Sequence, residues 1–415
     1  MAVSVKVAAV FGMSFDPCQG RYLRVHNQLR TLASRGYDVT LLAWDRECGL
    51  PEEEERDGFR IRRIRIPAPV GKGPRRNAGN VVRFNRAVYG MLSREPPDII
   101  HCFNLDAVLA AFLAARRRGK RLVLDLCEPE YYGLWSARYR WLLAPVNALE
   151  RGIARRADRV FVHNRFQVRK FQGYGVDRLV QVGSYPNRSM IPRDVERPPR
   201  DVFVVGRLGT IYEDNGIEEM LEAYRLLLDR RRGQEDGTRY HLYLAGRVFE
   251  RYRPTFERLV APFGDRITVH GPFDAHDMPE LYPRLDLSLV LARRTRWFRH
   301  ITPTKLFDSM AAGVPVLGSD IGEVREILEE GEWGFIVDET DPASICDGIE
   351  RVAGTPGLQR RMAGNALRLA RERYTWEVYA PEFIRAYASL VDEIPGLRAG
   401  AVEEAPRRRQ NPSSG

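Results

Sequence analysis

At 415 residues, with 44% hydrophobic and 29% charged side chains, the chain exceeds one ordinary core and reads as a soluble globular protein of two domains. No stretch reaches the ~18 apolar residues of a membrane-spanning helix, and the opening MAVSVKVAAVFGM lacks the features of a signal peptide, so a cytoplasmic location is expected. The formal charge of +10 is spread among acids with no helix-turn-helix, zinc-finger or RNP motif, which argues against a nucleic-acid partner and for an anionic small substrate, with loose attraction to an anionic membrane surface.

In chain order, 5–11 is a continuous apolar run closed by Gly12, as expected of a strand buried on both faces. A helix is predicted over 21–34, with Val25, Leu29, Leu32 and Ala33 on one face and Gly36 as its stop. Strands follow at 38–44 and 59–66, then a helix near 80–93, a strand at 99–103, a helix at 105–117 and a strand at 122–126. A helical region over 136–156 leads to a strand at 159–163. The stretch 186–199 holds four prolines and few apolar residues, the composition of a linker. The alternation then restarts. Strands are predicted at 201–205, 240–245, 266–270, 285–291, 314–317 and 335–337, and helices at 217–230, 254–261, 304–312, 323–329, 342–353, 358–373 and 376–392. Such alternation implies α/β architecture: two Rossmann-like, doubly wound parallel-sheet domains facing across a cleft. The expected division is 1–187, a linker 188–200, a second domain 201–375, a helix 376–395 packing back on the first domain, and a disordered tail 398–415.

The five cysteines, Cys18, Cys48, Cys102, Cys127 and Cys346, form no C-x-x-C pair, so neither a disulfide framework nor a zinc site is expected, and no metal or cofactor is predicted. The most informative segment is His300 to Val316. Thr302 is a good N-cap and Pro303 suits the first helical position, so the amides of Thr304 and Lys305 would open from a helix N-terminus, a ready phosphate site. Lys305 adds a full charge, and Asp308, one turn along, could accept hydrogen bonds from both ribose hydroxyls. A capped structural helix with a surface lysine and aspartate is the other reading. Arg293, Arg294, Arg296 and Arg299 crowd the preceding loop, where one or two would touch a ligand. A second phosphate candidate is Gly206-Arg207-Leu208-Gly209, where glycine admits close backbone approach and Arg207 can grip a diphosphate. Neither G-x-G-x-x-G after the first strand nor a P-loop is present, which weakens redox and ATP chemistry.

In the first half, the turn-rich loop from Asp16 through Gly20 and Arg21 could hold an acceptor or donor phosphate, or simply join a strand to a helix. Asp125, Cys127 and Glu128 stand at the end of a buried strand, where carboxylates must be functional or paired. His101 reads as a satisfied core histidine. An aromatic–basic cluster at 131–141 could rest at a membrane surface or fill a core.

Taken together these residues resemble the retaining GT-B glycosyltransferases, glycosyltransferase family 4 in particular. The similarity is carried by Lys305 to Val316, Pro97-Asp98-Ile99-Ile100-His101, Leu149 to Val160, Pro186-Asn187, Gly206-Arg207-Leu208 and Tyr374-Thr375-Trp376, and it covers nearly the whole chain. The resemblance implies a nucleotide-sugar donor in the second domain and a glycan, lipid-linked or small-molecule acceptor on the first, with retention of anomeric configuration and no protein nucleophile. Arg207 and Lys305 would then be the catalytic charges on the diphosphate. Gly206, His300, Thr304 and Asp308 would complete donor binding, and Gly20, Arg21, Asp125, Cys127 and Glu128 would contact acceptor or sugar. Three positions depart from the family pattern: His300 replaces the first glutamate of E-x7-E, Asn215 a lysine, and Cys127 a histidine. Lys305 is expected to supply the charge missing at Asn215. A nucleotide-sugar epimerase of the same fold and a non-catalytic glycan- or nucleotide-sugar-binding protein are the alternatives.

Overall fold

The computed structural model describes residues 4–17, 22–68, 73–126, 141, 143–193, 201–232, 238–295 and 298–397. Gly20, Arg21, Cys127, Glu128, Arg296, the 131–140 part of the aromatic cluster, the linker's 194–200 part and the tail from 398 onward lie outside these residues. Two compact units form. One gathers Val25–Val182 with the segment up to Phe15 and the segment from Ala380, and the other gathers Gly183–Tyr379 with Asp16–Arg24.

The first unit holds an eight-stranded sheet, β1 (Lys6–Phe11), β2 (Asp38–Asp45), β3 (Glu53–Arg56), β4 (Phe59–Arg65), β5 (Ile99–Phe103), β6 (Arg121–Leu126), β7 (Arg159–Val162) and β8 (Leu179–Gln181), in the order 3-4-2-1-5-6-7-8. Its helices are α1 (Tyr22–Ser34), of which the unit takes the part from Val25, α2 (Gly73–Arg94), α3 (Val108–Arg118), α4 (Leu143–Ala154) and α5 (Arg165–Gly173). From Val7 onward β1 is buried along its whole length, as a strand covered on both faces requires. Gly119 ends α3 in the left-handed region at φ 61°, its amide returning to Ala115.

One strand and one hairpin were not anticipated. Glu53–Arg56, mostly acidic, forms β3, antiparallel to β4 through the two-residue turn Asp57-Gly58, both at positive φ. Asp-Gly is the favoured sequence for such a turn, and cross-strand charge pairing completes it: Glu53 meets Arg62 at 3.0 Å and Glu54 meets Arg63 at 2.7 Å. The predicted all-parallel sheet thus carries an antiparallel edge. Helix α5 and strand β8 were likewise unanticipated, since a three-residue strand is too short to show a period.

The second unit holds a six-stranded parallel sheet of β9 (Val202–Leu208), β10 (Arg239–Ala245), β11 (Ile267–Gly271), β12 (Leu287–Val290), β13 (Val316–Gly318) and β14 (Gly334–Ile336), ordered 11-10-9-12-13-14. Helices α6 (Ile217–Arg230), α7 (Arg253–Val260), α8 (Met278–Leu281), α9 (Thr304–Ala311), α10 (Val324–Gly331), α11 (Pro342–Gly354) and α12 (Leu358–Arg373) cover it. Adjacent residues of β13 enter different cores. Leu317 packs with Leu221 of α6 and Ile345 of α11, while Val316 packs with Leu306 of α9, Leu328 of α10 and Ala366 of α12. This is the two-sided cover of a doubly wound sheet. No helix among the described residues is long and apolar enough to cross a membrane.

The last helix, α13 (Trp376–Asp392), returns to the first sheet. Its buried Tyr387 hydroxyl shares a 2.6 Å hydrogen bond with Nδ1 of His101 on β5, and Phe383 meets Phe161 of β7 edge-on. Burial raises the Tyr387 phenol well above its usual range, keeping it neutral. Tyr387→Phe removes a buried hydrogen bond, so urea unfolding should show a loss of about 1–2 kcal/mol.

Candidate functional site

Strand order in the second sheet reverses at β9, which pairs with β10 on one side and β12 on the other. Ligands of open α/β sheets sit beyond the carboxyl ends of the strands at such a switch point. The sequence Gly206-Arg207-Leu208-Gly209 occupies that end of β9. A side chain at Gly206 would collide with Leu285 and come within 3.0 Å of the Tyr243 carbonyl, so the glycine here permits close strand packing. Arg207 is buried, and its Nη1 donates to the carbonyls of Leu291 at 3.0 Å and Leu289 at 3.4 Å. The guanidinium is therefore fixed at the end of β12, where burial pulls its pKa down to about 10.

Gly209 turns away at φ 109°, with its amide donating to Ala245 at 2.8 Å. Gly246, at φ 144°, lies directly against the Gly209 carbonyl, where any side chain would collide. The resulting backbone shelf carries Lys305. A side chain on Gly209 would strike Lys305 Cε and come within 3.0 Å of Nζ. Two motifs roughly a hundred residues apart in sequence thus meet at the switch point.

Helix α9 brings Lys305 there, with one local correction. Pro303, in an extended conformation at φ −64° and ψ 133°, is the N-cap, and Thr304 is the first helical residue. Thr302 does not cap. Its hydroxyl donates to Glu323 at 3.0 Å instead. Thr304 and Lys305 still open the helix, where first-turn amides have no intrahelical acceptor and the macrodipole is positive. Asp308 lies one turn along. Lys305 and Asp308 each keep some accessible surface, yet neighbours crowd both. Burial pulls the Lys305 ammonium down to about 7, helped by Arg207 and opposed by Asp308. Burial pushes the Asp308 carboxyl up to about 7, opposed by Lys305. Buried Tyr282, close enough to feel both Asp308 and Arg207, has its phenol raised well above the usual range, chiefly by burial. Beneath it Ser309 donates to Ser288 of β12 at 2.9 Å. Neither Tyr282 nor this serine pair carries a sequence signal beyond being polar in an apolar run.

The remaining expected residues are dispersed. His300 sits exposed in a single turn, Phe298–His300, ahead of α9. Asn215 is buried and structural, its side chain accepting from the Tyr212 amide at 3.3 Å. Arg293 is held by Glu219 at 2.7 Å and Arg294 by buried Glu339 at 3.2 Å, so two of the loop's cations are already neutralised. In the first unit Asp125 is fully buried, accepting from Gln28 at 2.8 Å with His101 Nε2 3.5 Å away. Asp125 and His101 thus form a polar network inside the core, and the carboxylate is turned to protein partners. Ligand atoms of Cys346, Asp347 and Glu350 lie within 4.8 Å of one another, but Arg230 already binds both carboxylates, at 2.6 and 2.7 Å.

Residues 21–183 match the glycosyl transferase 4-like domain, and residues 199–354 match the glycosyl transferases group 1 domain. The chain is built from two glycosyltransferase domains. The group 1 domain contains the whole arrangement from Gly206 to Asp308. D-inositol 3-phosphate glycosyltransferase of Thermomonospora curvata is 24% identical over 215 residues, 49% of this chain and 47% of the relative. Phosphatidyl-myo-inositol mannosyltransferase of Mycobacterium leprae is 33% identical over 85 residues, 20% of this chain and 22% of the relative. The chain spans about half or less of the length of these relatives. Sucrose-phosphate synthase from Thermosynechococcus elongatus superposes with a TM-score of 0.75 at 17% identity, covering 94% of this chain and 100% of that one. Anabaena HepE in complex with UDP gives 0.67 at 14% identity, covering 93% and 100%. Both glycosyltransferase domains therefore have the Rossmann-like architecture of the GT-B fold.

Proposed function

We propose that this protein transfers a sugar from a nucleotide-diphosphate sugar to an acceptor hydroxyl with retention of configuration. One observation carries the reading: the Lys305 side chain, from the first turn of α9, reaches the Gly209 shelf at the switch point of the group 1 domain. A diphosphate at that mouth would take hydrogen bonds from the first-turn amides and charge from Lys305, with Arg207 behind it. Asp308 would accept from the ribose hydroxyls. In the transfer, the bond from the anomeric carbon to the diphosphate oxygen breaks as the acceptor oxygen bonds to the same face. The acceptor's proton passes to the departing phosphate oxygen. The amides and Lys305 stabilise the charge gathering on that leaving group, so no metal is required. The relatives' names include an inositol phosphate and a phosphatidylinositol, which supports a polyol acceptor, free or lipid-linked.

The test is a thermal-shift panel of UDP-, GDP-, ADP- and dTDP-sugars, then turnover with inositol-type acceptors followed by NMR of the product anomer. Retained configuration and insensitivity to chelator are expected. Inverted product, or conversion of the donor sugar without acceptor, would overturn the reading. The burial of Asn215 as a cap favours a second reading, binding without turnover. Tight donor binding with no product across the acceptor panel would establish it.

The pH response has a definite sign. A bound diphosphate favours protonated Lys305, so donor affinity should fall as pH rises past about 7. Ribose hydroxyls favour ionised Asp308, so affinity should also fall as pH drops below about 7. Calorimetric titration with UDP between pH 5.5 and 9 should give a maximum near neutrality; Asp308→Asn should flatten the acidic limb and, because Asp308 supports the Lys305 charge, move the basic fall to lower pH.

A further inference from the structure

Thr302 and Glu323 are each the residue from which a helix could be capped, and neither caps one. Thr302 precedes the N-cap Pro303 of α9, and no side chain caps that helix. Glu323 occupies the N-cap position of α10, yet makes no side-chain cap hydrogen bond there. The two meet each other instead, the buried Thr302 hydroxyl donating to Glu323 Oε2 at 3.0 Å. Around this bond the segment leading into α9 is tied to the segment leading into α10. The Gly322 amide donates to the Arg299 carbonyl at 3.2 Å, and a side chain at Gly322, at φ 53°, would collide with the Ile301 carbonyl. At the far end of the same loop, the Ala292 amide donates to Ser319 Oγ at 3.0 Å. Ala292 on one side and residues 299–302 on the other are thus both held by the turn after β13.

We propose that Glu323 is a positioning residue for the donor site, a latch that holds Thr302 and thereby aims the mouth of α9 at the diphosphate. Glu323 touches no substrate in this account. Releasing Thr302 would free the extended Pro303, turn the first-turn amides of α9 and draw the Lys305 side chain away from the Gly209 shelf. A hydrogen bond to a carboxylate is stronger than one between neutral groups, and displacement of a site by about 1 Å can cost on the order of a hundredfold in turnover. The inference deepens the nucleotide-sugar reading and rests on it for its consequence, while the latch itself stands on the free protein.

The test uses the full chain with Glu323→Leu, Glu323→Gln, Thr302→Val and the double variant Glu323→Leu/Thr302→Val. In the free proteins, hydrogen exchange of the amides at 299–306 should quicken in Glu323→Leu and Thr302→Val, while β9 stays protected. With UDP as probe, the dissociation constant should rise about tenfold in each of these single variants, and the double variant should lose no more than either alone. Glutamine keeps an acceptor for the Thr302 hydroxyl, so Glu323→Gln should stay within about threefold of the parent. In a turnover assay, loss should appear at saturating donor with the acceptor KM unchanged. Unchanged exchange in Glu323→Leu would overturn the latch. Faster exchange with unchanged UDP affinity would overturn its positioning role. If the parent itself binds no nucleotide, the donor reading fails, and exchange still decides the latch.

Discussion

Replacing Lys305 by alanine should weaken UDP binding about a hundredfold and lower turnover by a comparable further factor, with little loss of folding stability. The asymmetry follows from the environment of the side chain. In the free protein, burial and Arg207 both oppose its charge, pulling the ammonium down to about 7. Removing it therefore relieves an electrostatic cost in the fold. In the presence of a diphosphate the same ammonium faces a dianion across a partly desolvated mouth, where a unit charge pair at 4 Å is worth about 4 kcal/mol at an effective dielectric of 20. Loss of one preorganised donor to a developing anion costs on the order of 100- to 1000-fold in turnover. Lys305→Arg should recover little, because the planar guanidinium is wider than the ammonium seated beside Gly209. Calorimetry and steady-state kinetics measure both effects. Full donor affinity in Lys305→Ala would remove the central charge from the proposed mechanism.

Gly209→Ala and Gly246→Ala should separate function from stability on the same shelf. At Gly209 a methyl group meets the far end of the Lys305 side chain, which can swing aside. The cost to the fold is then confined to the positive φ of 109°, on the order of 1 kcal/mol, while the ammonium is displaced and UDP affinity should fall at least tenfold. At Gly246 the methyl group meets the backbone carbonyl of Gly209, which cannot yield without moving the strand end. With φ at 144° this substitution should cost about 2 kcal/mol or more, lowering the melting temperature by roughly 4–8 °C, and it should impair binding as well. Differential scanning calorimetry beside UDP titration reads both. Equal donor affinity in Gly209→Ala and the parent would mean that Lys305 does not act from the Gly209 shelf.

Much of this architecture is written locally in the chain. Buried strands such as β1 are continuous apolar runs, and helices such as α6, α12 and α13 carry periodic patterns whose limits match the observed Ile217–Arg230, Leu358–Arg373 and Trp376–Asp392. Strand β9 and helix α9, which carry the candidate phosphate residues, were legible for the same reason, because a glycine after a strand and a proline before a helix act over a few residues. The Asp-Gly turn of β3 and β4 was also readable locally, but the acidic run before it masked the strand. What lay beyond the sequence depends on partners distant along the chain. The meeting of Gly209 with Lys305 follows from strand order, which puts β12 beside β9 and so brings α9 to the same edge. The burial of Arg207 on the carbonyls of residues 289 and 291, and of Asp125 on Gln28, has the same origin. Even the cap of α9 was decided by tertiary structure, since Thr302 had two acceptable partners and Glu323 of the next helix provided the charged one. Periodicity and turn chemistry are short-range and therefore set the elements in the sequence. Charge, burial and hydrogen-bond choice at the site are settled by which elements the packed sheet makes neighbours.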